Sequence, residues 1–427
     1  MKTKLIIASC FVLLATTATA QQQYTLEQCK ELALKNNITL TTKQLDVNLS
    51  KEQQKEAFTN YFPTIHATGS YLQANKEMLD MDITIPQMGT LPLSKLKKGK
   101  MAAIMATQPI FAGGRIVNGN KLAKIGKEAA ELRQKLSTDE TLLTTEHLFW
   151  QIVDCREKLK TITVIEKQLE QIYHDVDQAV QAGVSTRNDL LRVKLRQQEI
   201  ASNRLKVENG LHTLQLALCQ FIGISPAGFS IAAPDISMPQ SPAALFVEAP
   251  QAVEMRSETH LLNKNVAAFK LKKQIEIGKR LPSVGVSAGY VYNDFMGKDQ
   301  NFLVGMLQVN IPLSDWWGGS HAIKQKKIAY IRAKLERTNS REQMEVQVEQ
   351  TWGELQEAYK QVLLGKTSIA SATENMRLNQ NCYKAGTIPL SELLDAQSLL
   401  QQSKNSYSAA FTAYQMKKYS YLKVTAR

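Results

Sequence analysis

Phe62-Pro63-Thr64-Ile65-His66-Ala67-Thr68-Gly69-Ser70-Tyr71 returns 219 positions later as Leu281-Pro282-Ser283-Val284-Gly285-Val286-Ser287-Ala288-Gly289-Tyr290. In both copies a proline stops the preceding segment, and character then alternates with a period of two, the pattern of a β-strand. In the first copy one face reads Ile65, Ala67, Gly69, Tyr71 and the other Thr64, His66, Thr68, Ser70. In the second, Val284, Val286, Ala288, Tyr290, Tyr292 oppose Gly285, Ser287, Gly289, Val291, Asn293. Two more landmarks recur in the same order. Gln108-Pro109-Ile110-Phe111-Ala112-Gly113-Gly114-Arg115 is echoed by Ile311-Pro312-Leu313-Ser314-Asp315-Trp316-Trp317-Gly318-Gly319-Ser320, with the glycine pairs offset by 205. Ala182-Gly183-Val184 with Asn188-Asp189-Leu190-Leu191 returns as Ala385-Gly386-Thr387 with Ser391-Glu392-Leu393-Leu394, at an offset of 203. The chain is therefore an internal duplication. Its first proline-to-glycine segment is 14 residues longer than the second.

The ends and the joint complete the organisation. Lys2 and Lys4, a largely apolar run over 5–15 and the small-residue site Ala18-Thr19-Ala20 form an export signal over 1–20. Ile7-Ala8-Ser9-Cys10 also resembles a lipoprotein cleavage box, but that cut leaves too short an apolar run before Cys10. Cleavage after Ala20 is the expectation. The first repeat is expected over 21–225 and the second over 251–427. Between them, 226–250 carries Pro226, Pro234, Pro239, Pro242 and Pro250, too many for a helix interior, and reads as a connector.

Each repeat reads helix, strand, strand, helix, turn, helix. Thr25 and Gln28 have capping-box spacing and open a helical run that Pro63 ends. The stretch 114–183 has no proline, and a continuous helix there would be about 100 Å long at ~1.5 Å per residue. A heptad seam runs through Ile152, Cys155, Leu159, Ile162, Glu166, Leu169, Tyr173, Val176 and Val180, with Glu166 its one charged member. Gly183 breaks it and 189–221 runs back; Gly386 plays the same part between 319–383 and 392–424. Leu303, Gly305, Leu307, Val309 and Ile311 form one face of a further strand, whereas 101–110 alternates less clearly. Four strands per chain cannot close a barrel, and open sheet edges are not tolerated in lipid. Several chains must then share one barrel; arithmetic alone admits two, three or four of them. A soluble sheet gives the same alternation, so a periplasmic coiled-coil adaptor or scaffold is the rival reading.

Composition excludes other classes. The net charge of +13 falls to +11 without Lys2 and Lys4; a basic chain can bind nucleic acid, but an export signal argues against that partner. Cys29, Cys155, Cys219 and Cys382 are scattered and read as small residues on helices rather than a disulfide framework. Gly285-Val286-Ser287-Ala288-Gly289 satisfies the GxSxG hydrolase pattern, with Asp294 and His321 following. A nucleophile elbow needs a strand, a sharp turn and a helix, whereas here the alternation runs on to Tyr292. His66, His147, His174, His212, His260 and His321 lack metal-ligand spacing, so no cofactor is implied. Trp316-Trp317 reads as the end of a barrel strand at a membrane interface.

The order, duplication and spacing of these motifs, with the opening Thr25-Leu26-Glu27-Gln28-Cys29-Lys30-Glu31-Leu32-Ala33-Leu34-Lys35-Asn36-Asn37, resemble the TolC-like outer-membrane efflux family over the mature chain. The resemblance implies an α+β membrane protein: a long α-helical coiled-coil tunnel in the periplasm plus a transmembrane β-barrel with four strands from each chain of a homotrimer. It implies an exit duct in the outer membrane, in contact with its lipid and joined through a periplasmic adaptor to an inner-membrane pump. Tyr383, three before Gly386, matches a gating tyrosine, and Asp189, six after Gly183, the aspartate it contacts. Glu392 and Asp395 match two aspartates that form acidic rings in the constricted pore. Ile388 stands where some members have an arginine, so a charge-assisted lock is lost there. Gly183, Val184, Gly386 and Thr387 mark the turns on which the adaptor is expected to dock. Without the resemblance, Glu392 and Asp395 read equally as a solvated helix face.

Mass spectrometry of the mature N-terminus tests the export reading. A peptide beginning at Gln21 is expected, and an acylated peptide beginning at Cys10 would overturn it.

Overall fold

The computed structural model describes residues 22–427 apart from 77, 79, 87–88, 96, 233, 235, 237, 296–298 and 314. The signal over 1–20, Cys10 included, and Ser314 lie outside them. The first repeat comprises β1 (Gln22–Tyr24), α1 (Leu26–Asn36), α2 (Ile38–Thr59), β2 (Thr64–Gln73), β3 (Asp80–Ile85), β4 (Gly89–Lys95), β5 (Lys98–Ala112), α3 (Arg115–Gln181) and α4 (Arg187–Ile222). The connector holds β6 (Phe229–Ile231) and one turn of 3-10 helix. There follow α5 (Ala249–Met255), α6 (Ser257–Gly278), β7 (Ser283–Asn293), β8 (Gln300–Asn310), α7 (Asp315–Lys384) and α8 (Leu390–Val424). Among the described residues, no helix is long and apolar enough to cross a membrane.

The chain forms two compact units that cut across the duplication. One takes Thr138–Ala249 and Gln347–Arg427 with the chain up to Thr41; the other takes Thr42–Ser137 and Pro250–Val346.

In the first unit the parts of α3, α4, α7 and α8 that belong to it pack side by side. Ile172 and Val176 of α3, Val193 of α4, Met376 of α7 and Leu390 and Leu393 of α8 share one buried cluster. The heptad seam accounts for much of this. Ile152, Ile162, Leu169 and Val176 are buried, while Cys155, Leu159, Tyr173 and Val180 are half-buried. Glu166, its charged position, is met by Arg204 of α4, whose Nε and Nη2 lie 2.8 and 2.6 Å from the two carboxylate oxygens. That two-pronged pair answers a charge that would otherwise weaken the seam.

Thr25 closes its capping box as expected: the Gln28 amide donates to Thr25 Oγ1 at 3.3 Å, and the Thr25 amide to Gln28 Oε1 at 2.9 Å. The helical run does not continue to Pro63, however. It breaks at Asn37, whose Oδ1 accepts from the Thr39 amide at 2.9 Å and so starts α2 afresh. Asn36 and Asn37 also donate to the carbonyls of Ile222 and Phe221, which ties the end of α1 to the open end of α4.

In the second unit the strands form one antiparallel sheet in the order β2-β5-β7-β8. The helices repeat that order. Asn120 of α3 donates to the Ala57 carbonyl of α2, Lys264 of α6 pairs with Glu128 of α3, and Lys273 of α6 lies over the Tyr330 ring of α7. Although 101–110 alternates weakly in sequence, β5 pairs without interruption from Met101 to Pro109, and its register against β7 shifts only between Pro109 and Phe111. The extra length of the first hairpin forms its own small sheet, β3 with β4.

One expectation fails. Trp316 and Trp317 do not end a strand: β8 stops at Asn310, and the tryptophans with Gly318 and Gly319 lie in the first turns of α7. The corresponding Gly113 and Gly114 instead form a left-handed turn, at φ of 61° and 75°. A Cβ on Gly113 would run into the backbone of Gly278, and one on Gly278 into the Gly113 carbonyl, so this joint needs two glycines.

The two helical hairpins turn in the same way. Gly183 and Gly386 have φ of 73° and 71°. The Val184 amide donates to the Ala179 carbonyl at 2.9 Å and the Thr387 amide to the Cys382 carbonyl at 3.0 Å, the closure of a Schellman turn. Nothing lies within 4 Å of a Cβ added at either glycine, so its cost is purely conformational, about 1–2 kcal/mol. Gly386→Ala should therefore speed hydrogen exchange at the Thr387 amide about tenfold, with amides in the middle of α7 unaffected. Unchanged exchange would mean that the turn does not depend on the left-handed residue.

Candidate functional site

The sheet has two unlike faces. Cross-strand partners share a face, so the register places Ala67, Ile104, Tyr290 and Leu303 in one row, and His66, Met105, Gly289 and Val304 in the next, on the other side. The first face is apolar and open: Ile65, Leu303 and Leu307 are 72%, 80% and 69% exposed. The second is small or polar along β2 and most of β7, with Ala103 and Ser287 buried, but carries Met101, Met105, Phe302 and Met306 on β5 and β8. The large side chains of the first face thus stand open along the sheet. A soluble sheet would bury those side chains, whereas a sheet facing lipid leaves them outside. At both sides the sheet ends in an open strand, since β2 and β8 each have one strand partner among the described residues.

The GxSxG residues lie inside this sheet. Ser287 sits in mid-β7, its hydroxyl 3.0 Å from that of Thr107, and no turn or helix follows it before Asn293. It is a cross-strand hydroxyl pair rather than a nucleophile elbow.

The residues at the helical turns converge on a second place. A cavity of about 810 Å³ lies between the two hairpins; its floor includes Ile172, Met376 and Leu393, and Asp189, Tyr383 and Ile388 also line it. Asp189 and Tyr383, from different repeats, thus face one space. Burial pushes the Tyr383 phenol up from its ordinary pKa, and the nearby carboxylates of Asp189 and Asp175 add to this. The hydrogen bonds of Asp189 nevertheless go elsewhere. Its Oδ2 accepts from the Thr186 hydroxyl at 2.7 Å, the Ser185 hydroxyl at 3.2 Å and the Thr186 amide at 3.3 Å. The Asp189 amide donates back to Thr186 Oγ1 at 3.2 Å. Asp189 is therefore the N3 member of a capping box that starts α4. Sequence reasoning singled out the aspartate and passed over Thr186, although Thr186-x-x-Asp189 carries the capping-box spacing.

Glu392 and Asp395 lie outside this cavity. Both are exposed on one face of α8, and Glu392 stands in its first turn, where a carboxylate favours the helix N-terminus. Gly183, Val184, Gly386 and Thr387 are exposed at the turns, Val184 at 80%.

A four-stranded sheet with an open apolar face, duplicated helical hairpins and paired turns match the architecture of TolC-like channels. The family model for outer membrane efflux proteins matches residues 30–223 and 266–418. The chain belongs to the outer membrane efflux protein family. The outer membrane efflux protein BepC of Brucella suis is 22% identical over 386 residues, covering 86% of this chain and 78% of BepC. Among solved structures, CusC superposes with a TM-score of 0.82 at 15% identity, over 94% of this chain and 91% of that one. The outer membrane protein VceC of Vibrio cholerae does so with a TM-score of 0.78 at 13% identity, over 94% and 95%. The protein is thus an outer-membrane efflux channel and not an enzyme, with its helical domain in the periplasm. The rival reading as a soluble adaptor falls with the family match.

The cap on α4 makes a pH prediction. Hydrogen bonds from Thr186 hold the Asp189 carboxyl below its ordinary range. A depressed pKa in the folded state means that the stabilisation is complete above the unfolded value, about 3.9, and is lost as pH falls through the lower folded value. At pH 7, Asp189→Ala should loosen the start of α4 by about 1 kcal/mol, read as faster hydrogen exchange of its first amides. That difference from the natural protein should shrink below about pH 4. An equal difference at both pH values would show that the charge on Asp189 does not stabilise the cap.

Proposed function

We propose that the protein is the exit duct of a tripartite efflux or type I secretion system, a passive conduit that closes into a ring only as an oligomer. The open pair of edges carries this reading. The edge strands β2 and β8 have unused backbone donors and acceptors, which lipid cannot satisfy. The edge helices beside them are also unfinished: Leu45 and Leu49 on α2, and Ile328, Ile331 and Leu335 on α7, are exposed at seam spacing. Joining the β8 edge of one copy to the β2 edge of the next satisfies both at once. Three copies give a 12-stranded barrel, within the even-numbered range of such barrels. Its convex apolar face would meet outer-membrane lipid. The repeats over 21–225 and 251–427, joined by 226–250, then alternate around the axis as six similar hairpins.

The periplasmic end is where the duct is gated and docked. Tyr383 and Asp189 stand on the two hairpins of one chain at a shared cavity, a placement suited to holding them together. Glu392 and Asp395, repeated by symmetry, make rings of negative charge that favour cations at the constriction. Ile388 supplies no charge to the lock, so closure relies on the tyrosine and the packing around it. The turns at Gly183-Val184 and Gly386-Thr387 receive a periplasmic adaptor, which brings the inner-membrane pump whose energy drives export.

Crosslinking of the purified oligomer should stop at three chains. In planar bilayers, Tyr383→Phe should raise the conductance, and Glu392→Gln with Asp395→Asn should lower cation selectivity and weaken block by multivalent cations. Tyr383→Phe is the cleaner gate variant because it leaves the Thr186–Asp189 cap intact. A loss of about 1.5–3 kcal/mol from one charge-assisted hydrogen bond makes the leak partial. If conductance, selectivity and block are all unchanged, these residues are ordinary surface groups.

A further inference from the structure

The charge of the chain is concentrated in one of its two units. The unit that holds the four-stranded sheet has 29 Lys and Arg against 17 Asp and Glu, and its two stretches, 42–137 and 250–346, contribute +6 each. That is +12 of the chain's +13; the other unit, without Lys2 and Lys4, sums to −1. The helices carry the excess. Their carboxylates are largely taken up in pairs: Glu128 with Lys264, Glu131 with Lys127, Glu254 with Arg341, Glu276 with Lys279 and Arg280, and Glu336 with Arg332. Lys270, Lys272 and Lys273 of α6, and Lys324, Lys326 and Lys334 of α7, meet no carboxylate among the described residues. Two of them crowd one ring, with the ammonium groups of Lys273 and Lys334 at 5.4 and 4.9 Å from the Tyr330 centroid.

The spacing of these lysines matters more than their number. Residues two apart on a helix point about 200° away from each other. Lys270 and Lys272 therefore lie on opposite sides of α6, and Lys324 and Lys326 on opposite sides of α7; all four are exposed. On α6, Lys264 reaches α3 and Lys273 reaches α7 from opposite sides, so Lys270 and Lys272 take the two faces left between them, and whichever of these meets the enclosed water bears an unpaired lysine. The sheet offers nothing to offset it on either face, because its rows from Thr64 to Ser70, Met101 to Thr107, Ser283 to Asn293 and Gln300 to Asn310 contain no carboxylate.

We infer that this unit makes its part of the conduit anion-selective, against the cation preference of the acidic groups at the helical turns. The inference rests on the duct reading above. In a ring of copies the low-dielectric walls focus the field of the lysines on the water path, and rings of Lys or Arg are what line anion pores. A solute carrying negative charge is then enriched in this part of the conduit, whereas a cationic one is repelled.

The test is ion selectivity of the purified oligomer in planar bilayers under a potassium chloride gradient. Glu392→Gln with Asp395→Asn first removes the acidic side chains of the other unit. In that background the chloride-to-potassium permeability ratio is expected above 1, and citrate is expected to block. Adding Lys270→Gln, Lys272→Gln, Lys324→Gln and Lys326→Gln should bring the ratio down toward 1 and relieve the citrate block. Raising the salt should weaken the preference in the same direction, as screening shortens the reach of the charges. A ratio at or below 1 in the first variant, or one untouched by the four lysine changes, overturns the inference and leaves the channel reading standing. Absence of any conductance from inserted oligomer overturns both.

Discussion

A backbone amide or carbonyl at the edge of a sheet has water as its partner in solution and no partner in hydrocarbon. The rest of this protein answers to that constraint. Four strands in the order β2-β5-β7-β8 leave two unfinished edges, and the apolar face of the same sheet is too exposed for a soluble domain. The helices inherit the problem, since α2 and α7 flank the series as β2 and β8 do and leave Leu45, Leu49, Ile328, Ile331 and Leu335 uncovered. A single chain cannot satisfy these demands with what it contains. In the ring proposed above the next copy would, because the two edges come from different repeats of one duplicated pattern.

Much of this architecture was legible in the sequence, for identifiable reasons. Proline and glycine act locally, so Pro63, Pro282, Gly183 and Gly386 marked where strands begin and where helices turn. The seam from Ile152 to Val180 was readable because burial along a helix follows a fixed period. The misreadings lie where a distant contact outweighs local character. Asn36-Asn37 looks like an ordinary polar pair, yet Asn37 caps a new helix through its Oδ1 while both side chains reach the end of α4. Gly318-Gly319 resembles Gly113-Gly114 in sequence, but only the earlier pair abuts Gly278, and only it turns left-handed. The weak alternation along β5 did not mean a poor strand, for β5 pairs with both β2 and β7 there.

At the turns, Asp189 has a structural task beside the gating role proposed for it. Family resemblance singles out Asp189 as a partner for Tyr383, and both do line one cavity. In this protein, however, the carboxylate also starts a helix with Thr186. A carboxylate has two oxygens and room for several donors, so capping through Oδ2 leaves Oδ1 able to accept elsewhere. The arrangement places a fixed acceptor beside the tyrosine at no cost in flexibility, because the cap holds the aspartate in its rotamer. It also means that the loss of this side chain changes the backbone as well as the contact, whereas the loss of the tyrosine hydroxyl does not.

The joint between Gly113 and Gly278 has a consequence for the mechanics of a closed ring. Within one chain it lets the turn after β5 press directly on the end of α6, backbone against backbone. The positions that correspond to it under the duplication are Gly318 and Thr59, with a side chain in place of the second glycine. In the proposed ring, the matching joint between copies would therefore lack the second glycine. A ring of such copies would alternate tight and slack joints around its circumference, so that it would flex between chains more readily than within them.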